Sequence, residues 1–193
     1  NYIFDNSDWP WVKERHNLGN TQDWYFLAYG HNYKKALKDF TMFAGKVPLP
    51  PRYAFGYWWS RHWAYSDNEL RKVVENMNNY GFPLDVLVVD KDWHYTEKGK
   101  GAWGGFTWNE RLFPDHAKFL KWLKDNDLNV TFNLHPADGV LPYDTHYDDL
   151  AKWMGMDPDE KKEITWLASD KHFMEGWYNK MLRPMEKEGV DFW

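Results

Sequence analysis

The chain has 193 residues, 43% hydrophobic and 27% charged, a balance that excludes a disordered polymer and fits one globular domain or one domain plus part of another. A formal net charge of −5 offers no basic surface for nucleic acid, and the lack of cysteine excludes disulfide frameworks and thiolate metal sites while leaving the compartment open. No run approaches the ~18 apolar residues of a membrane span, and the opening Asn1-Tyr2-Ile3-Phe4 lacks a basic segment ahead of an apolar one, which in a fragment tells little about secretion.

The unusual quantity is aromatic content, 20% with 14 Trp. A Trp-rich core would use it. So would a sugar site, where flat aromatic faces stack on the C–H faces of pyranose rings and indole N–H groups meet hydroxyls. Composition does not separate the two.

Taken in chain order, Trp24-Tyr25-Phe26-Leu27-Ala28-Tyr29 reads as a strand closed by Gly30. Asn32 is an N-cap for a helix through Tyr33, Ala36, Leu37 and Phe40, ending at Gly45. Val47-Pro48-Leu49-Pro50-Pro51 is a stiff connector that cannot be helix, and it is read as a domain boundary. Tyr53-Ala54-Phe55-Gly56-Tyr57-Trp58 is a buried strand candidate. Ser66 and Glu69 have the spacing of a capping box, and Leu70, Val73, Val74 and Met77 follow on one helical face. Gly81 and Pro83 close that helix. Val86-Leu87-Val88-Val89 is an apolar β-branched run, the pattern of a parallel strand covered on both faces, ending at Asp90.

A long loop, about residues 91–112, carries glycines around Trp103. A helix with Phe119, Leu120 and Leu123 on its inner face precedes a strand, Asn129-Val130-Thr131-Phe132-Asn133-Leu134, ending at His135. A further insertion holds a short helix near Leu150, Trp153 and Met154. Asp170 caps another helix with Phe173, Met174, Trp177, Tyr178, Met181 and Leu182 on one side, and Gly189-Val190-Asp191-Phe192-Trp193 begins a fourth strand. Alternating strand and helix implies an α/β fold with a parallel sheet and right-handed crossovers. The long segments follow strand C-terminal ends, the face on which β/α barrels build active sites. A doubly wound sheet would carry a glycine-rich phosphate turn after its first strand, and Trp59-Ser60-Arg61-His62-Trp63 is no such cradle.

Three strand-end groups carry candidate chemistry. The first runs from Tyr57 to Tyr65 and includes Trp63: loop aromatics folding over a barrel mouth, or an aromatic wall for a sugar ring. The second is Asp90-Lys91-Asp92-Trp93-His94. Carboxylates there accept hydrogen bonds from sugar hydroxyls, and carboxylates are also what glycosidic cleavage needs as nucleophile and acid. The plain alternative is a helix cap or a salt bridge. The third, Asn133-Leu134-His135-Pro136-Ala137-Asp138-Gly139, offers His135 and Asp138 as an acid–base pair, a metal pair or hydrogen-bonding rim residues. No further spacing supports a metal, and no cofactor is expected. His31, His116 and His172 read as surface or capping residues.

The run from Lys46 to Trp58, then Pro83-Leu84-Asp85-Val86-Leu87-Val88-Val89-Asp90 with Asp92, then Gly189-Val190-Asp191-Phe192-Trp193, resembles glycoside hydrolase family 31 over roughly residues 24–193. The resemblance implies the end of an N-terminal β-sandwich over 1–47 and the first part of a TIM-type β/α barrel over 48–193, about four strands. It implies retaining hydrolysis of terminal α-linked sugars through a covalent glycosyl-enzyme intermediate, with a carbohydrate as the partner. By the same resemblance Asp90 binds hydroxyls of the sugar in the −1 subsite, Trp63 is an aromatic of that subsite and Trp166 another. The nucleophile and the acid–base aspartate would lie beyond Trp193, so the chain is expected to be an inactive fragment holding only substrate-binding residues: Asp90, Trp63, Asp92, His94, His135, Asp138 and Trp166.

One departure bears on specificity. His135 stands where the α-glucosidases of the family carry an aspartate. An α-galactosidase, an α-N-acetylgalactosaminidase, an α-transglycosylase and a non-catalytic carbohydrate-binding fragment therefore remain open, as does the oligomeric state.

Overall fold

The computed structural model describes residues 24–96 and 103–193. They divide into two units at Pro51/Arg52, where the proline-rich connector ends.

In the first unit, helix α1 spans Tyr33–Ala44, and the Asn32 side chain accepts the Lys35 N–H at its N-terminus. Gly45, at φ +90°, ends it. Residues 24–29 form no strand, contrary to the expectation. A strand exists only through a ladder, and no second strand occurs among the described residues of this unit to provide one.

The second unit holds a parallel sheet of three strands, in the order β1 (Trp58–Trp59), β2 (Val86–Val89) and β3 (Asn129–Phe132). Trp58 lies beside Val86, and Val86 beside Asn129, so neighbours in space are neighbours in sequence. Helix α2 (Asp67–Asn79) crosses from β1 to β2, and α3 (His116–Asp125) crosses from β2 to β3. This sequential order, each strand followed by a helix, is that of a β/α barrel.

The first strand is shorter and later than its sequence pattern implied. Residues Arg52–Phe55 form a 3₁₀ turn, and Phe55 is 74% exposed. The Asp85 carboxylate accepts the Tyr57 N–H at 2.9 Å and packs against Gly56, which lacks the Cβ that would collide with it. This clamp delays the ladder to Trp58. The fourth strand is a single parallel bridge between Phe192 and Thr131, reinforced by the Asp191 N–H on the Val130 carbonyl.

Local chemistry explains the helices. Ser66 and Glu69 form a complete capping box at α2, with both reciprocal hydrogen bonds present. Leu70 and Val74 of α2 and Phe119, Leu120 and Leu123 of α3 are buried against Leu87, Val89, Val130 and Phe132 of the sheet. Each such side chain contributes about 1.5–3 kcal/mol by leaving water.

A second cluster lies beyond β3. Helix α4 (Tyr147–Trp153) and helix α5 (Lys171–Trp177) enclose Leu150, Phe173, Trp177, Met181 and Leu182. The Asp170 carboxylate caps α5 through the Phe173 N–H at 2.7 Å. A π-turn, Tyr178–Leu182, joins α5 to α6 (Arg183–Glu188). Pro184 has no N–H to give, and the wide turn accommodates that gap.

Candidate active site at the strand ends

The C-terminal ends of the three parallel strands lie at one end of the sheet, and the three expected groups follow them, although not every expected residue ends at the rim. Asp90 directly follows β2 and is half-buried. Its Oδ1 accepts the Lys91 backbone N–H at 2.7 Å and the Asn133 side-chain N–H at 3.1 Å. Its Oδ2 has no partner among the described residues. Part of the helix-cap alternative is thus real, since Asp90 caps the short 3₁₀ turn Lys91–Trp93, yet the cap occupies only one oxygen.

Asp92 accepts Lys91 Nζ at 3.4 Å and the Thr96 hydroxyl at 3.4 Å. Trp93 is fully buried, and its indole N–H donates to the Asn133 carbonyl at 2.9 Å. The β2 and β3 ends are therefore linked three times through Asn133, whose backbone N–H also donates to the Val89 carbonyl at 2.9 Å.

His94 is buried, 1% exposed, beneath the 103–108 segment rather than at the rim. The turn at Lys91–Trp93 carries it inward, where it pairs with Trp108 in an antiparallel bridge. Its Nδ1 lies 3.1 Å from the Tyr95 carbonyl, and its Nε2 has no partner among the described residues. Burial holds its pKa below the ordinary 6.5, against the pull of nearby carbonyls and of the Asp144 and Asp92 carboxylates.

At the first strand end, Trp63 is 54% exposed, and the Arg61 guanidinium lies 4.9 Å from its ring centroid. At the third, His135 is half-buried and its Nδ1 has no partner among the described residues. Asp138 accepts the Gly104 N–H at 3.2 Å. Trp166 belongs to the second cluster, edge-on to Trp177 at 4.9 Å and to Phe173 at 5.4 Å.

Two residues were not singled out from the sequence. Trp103 is met by His62, Lys91 and His135, one from each strand end, at 5.9, 5.3 and 4.9 Å. Asp144 is buried and accepts N–H bonds from Phe106 and Leu141, both at 2.9 Å, with the Thr107 hydroxyl at 3.3 Å. Burial raises its pKa above 3.8 despite those bonds. The flanking glycines hint at Trp103, but nothing local marks Asp144.

An apolar groove of 320 Å³, lined by Tyr57, Met77, Phe82 and Pro83, lies at the opposite end, where the chain enters β1 and β2. Among the described residues no group of three or more His, Cys, Asp or Glu side chains forms a metal site, and no helix is long and apolar enough to cross a membrane.

The profile of the glycosyl hydrolases family 31 TIM-barrel domain matches residues 47–193. The chain belongs to family 31. It is 30% identical over 115 residues to an α-xylosidase of Saccharolobus solfataricus, covering 60% of this chain and 15% of that protein. It is 32% identical over 114 residues to the α-xylosidase XylQ of Lactiplantibacillus pentosus, covering 58% and 14%. The chain therefore spans about 15% of the length of these curated family 31 relatives.

Among solved structures, a xylosidase from Aspergillus niger superposes with a TM-score of 0.63 at 16% identity, covering 83% of this chain and 23% of that one. A family 31 α-xylosidase from Xanthomonas citri gives 0.58 at 22% identity, covering 83% and 18%. At these identities the likeness establishes the barrel fold alone, and it agrees with the parallel β1-β2-β3 order.

Proposed function

We propose that this protein is a retaining α-glycoside hydrolase that removes a terminal α-linked sugar through a covalent glycosyl-enzyme intermediate. The observation that carries the reading is Asp90: in a family 31 barrel domain, at a strand end, one carboxylate oxygen is anchored and the other is left for a ligand. A carboxylate oxygen so placed can accept hydrogen bonds from sugar hydroxyls, and fixing the group in advance spares the cost of ordering it on binding.

In this reading Asp90 holds hydroxyls of the −1 sugar and Trp63 supplies an aromatic wall. Asp92 balances Lys91 beside them. His135 and Asp138 shape the third strand end, while His94 acts from beneath, supporting the 103–108 segment without touching sugar. Trp166 contributes through the packing of Trp177. The nucleophile and the acid–base aspartate would belong to the barrel C-terminal to Trp193; of the β-sandwich end expected over 1–47, residues 1–23 lie outside the described residues, and 24–47 show helix α1 and no strand.

The names of the relatives point to α-xylosides and α-glucosides as first substrates. His135, in place of an aspartate, brings α-galactosides and α-N-acetylgalactosaminides into the same test. Protein expressed from its complete reading frame should hydrolyse at least one member of a nitrophenyl α-glycoside panel, and proton NMR should show the α-anomer released first. Release of the β-anomer, or no turnover of any α-glycoside or α-linked disaccharide, would overturn the proposal.

A further inference from the structure

Trp103 has an arrangement that the role of Asp90 does not use. Trp103 is 46% exposed, unusually open for a residue type that buries well when it can. It is nonetheless held from several sides. His135 stands edge-on at 4.9 Å between centroids, His62 lies at 5.9 Å and Lys91 Nζ at 5.3 Å. These contacts come from the three successive strand ends, so the ring spans the edge along which the candidate site is built.

The backbone after Trp103 is fixed as firmly. The Gly104 N–H bonds Asp138, and a Cβ at Gly104 would stand 2.9 Å from the Asp138 Cβ. A Cβ at Gly105 would stand 2.6 Å from Nδ1 of His94. Only glycine permits both approaches. Two residues further on, the Asp144 carboxylate holds Phe106 and Thr107. A large exposed ring on a backbone pinned this tightly is ready for a ligand without further ordering cost.

We infer that Trp103 is a specificity-determining residue of the site, the platform on which the leaving-group sugar of an α-linked oligosaccharide stacks. The inference rests on the proposed α-glycosidase function. Asp90 and Trp63 each stand at a single strand end and are proposed to hold the −1 ring, so Trp103, met from all three strand ends, is left for the ring beyond the scissile bond. Stacking is the fitting chemistry, because Trp103 stays 46% exposed even with Lys91 Nζ over its ring. The bond broken is the same glycosidic bond, and Trp103 takes no part in proton transfer.

The test compares two substrates of the enzyme expressed from its complete reading frame. One is the α-linked disaccharide it cleaves fastest. The other is the matching α-glycosyl fluoride, whose leaving group is a single atom with nothing to stack. Trp103→Ala is expected to lower kcat/KM on the disaccharide by at least about tenfold and to leave the fluoride within about twofold. Trp103→Leu, which keeps apolar bulk without a π face, should show the same split, and Trp103→Phe should recover most of the disaccharide rate. Near-normal turnover of the fluoride is itself the proof of folding. Equal losses on both substrates in the Ala and Leu variants, or no loss on either, would overturn the inference. A wild-type enzyme that cleaves neither substrate would instead overturn the proposed function.

Discussion

Asn133 donates its side-chain N–H to Oδ1 of Asp90 at 3.1 Å, so a residue leaving β3 sets the carboxylate that ends β2. The same residue's carbonyl receives the indole N–H of buried Trp93 at 2.9 Å. One asparagine thus couples two strand ends and the core beneath them. Asp90 keeps a fixed orientation even though it lies at a half-buried rim.

Asn133→Ala should therefore reduce activity without touching substrate. The Asp90 carboxylate loses one of its two anchors, while the backbone bond to Trp93 survives. We expect kcat/KM to fall about tenfold, roughly 1.4 kcal/mol of transition-state binding, with the melting temperature little changed. Steady-state kinetics and calorimetry on the same preparation check both halves.

Asp144→Ala should destabilise the fold. It strands the buried N–H groups of Phe106 and Leu141, each costing about 1–3 kcal/mol when unmatched, so a loss of roughly 2–6 kcal/mol is expected in urea unfolding. A loss below about 0.5 kcal/mol would mean that the segments re-pair elsewhere.

Stability should fall on acidification through His94. Its folded pKa is depressed below 6.5 by burial, so below that pH the unfolded chain binds the proton more readily than the folded one. The contribution is complete above 6.5 and is lost as pH drops toward the folded value. Asp144 has the opposite sign: its pKa is raised above 3.8, so its contribution is complete below 3.8 and is lost as pH rises through the folded value. A His94→Gln variant should lose less melting temperature than wild type between about pH 7 and pH 5.5, read by scanning calorimetry.

Gly104→Ala should disturb the Trp103 segment. The new methyl meets the Asp138 Cβ at 2.9 Å and the His135 carbonyl at 3.2 Å, neither of which has slack. The expected cost is about 1–3 kcal/mol, measurable by thermal unfolding.

The sequence spoke most clearly where structure is local. The Ser66–Glu69 box, the Leu70–Val74 face and the Val86–Val89 run depend on neighbours within a few residues, and all three appear as expected. The first strand was misplaced because Asp85, 28 residues away from Tyr57, decides where the ladder starts. His94 looked like a rim residue beside Asp92, and the intervening 3₁₀ turn placed it beneath the site. Trp103 and Asp144 act through pairs 34 and 38 residues apart, Gly104 with Asp138 and Phe106 with Asp144. Such pairs have no periodicity to read.

The most direct test of the account is the kcat/KM of Asp90→Asn on the best α-glycoside of the enzyme expressed from its complete reading frame. The change keeps size and a hydrogen-bonding side chain but removes the charge that the −1 sugar hydroxyls are proposed to meet. The account predicts a fall of at least about a hundredfold in kcat/KM with unfolding temperature within a few degrees of wild type. Activity within about twofold of wild type, from a variant equally folded, would contradict the placing of the substrate at this strand end.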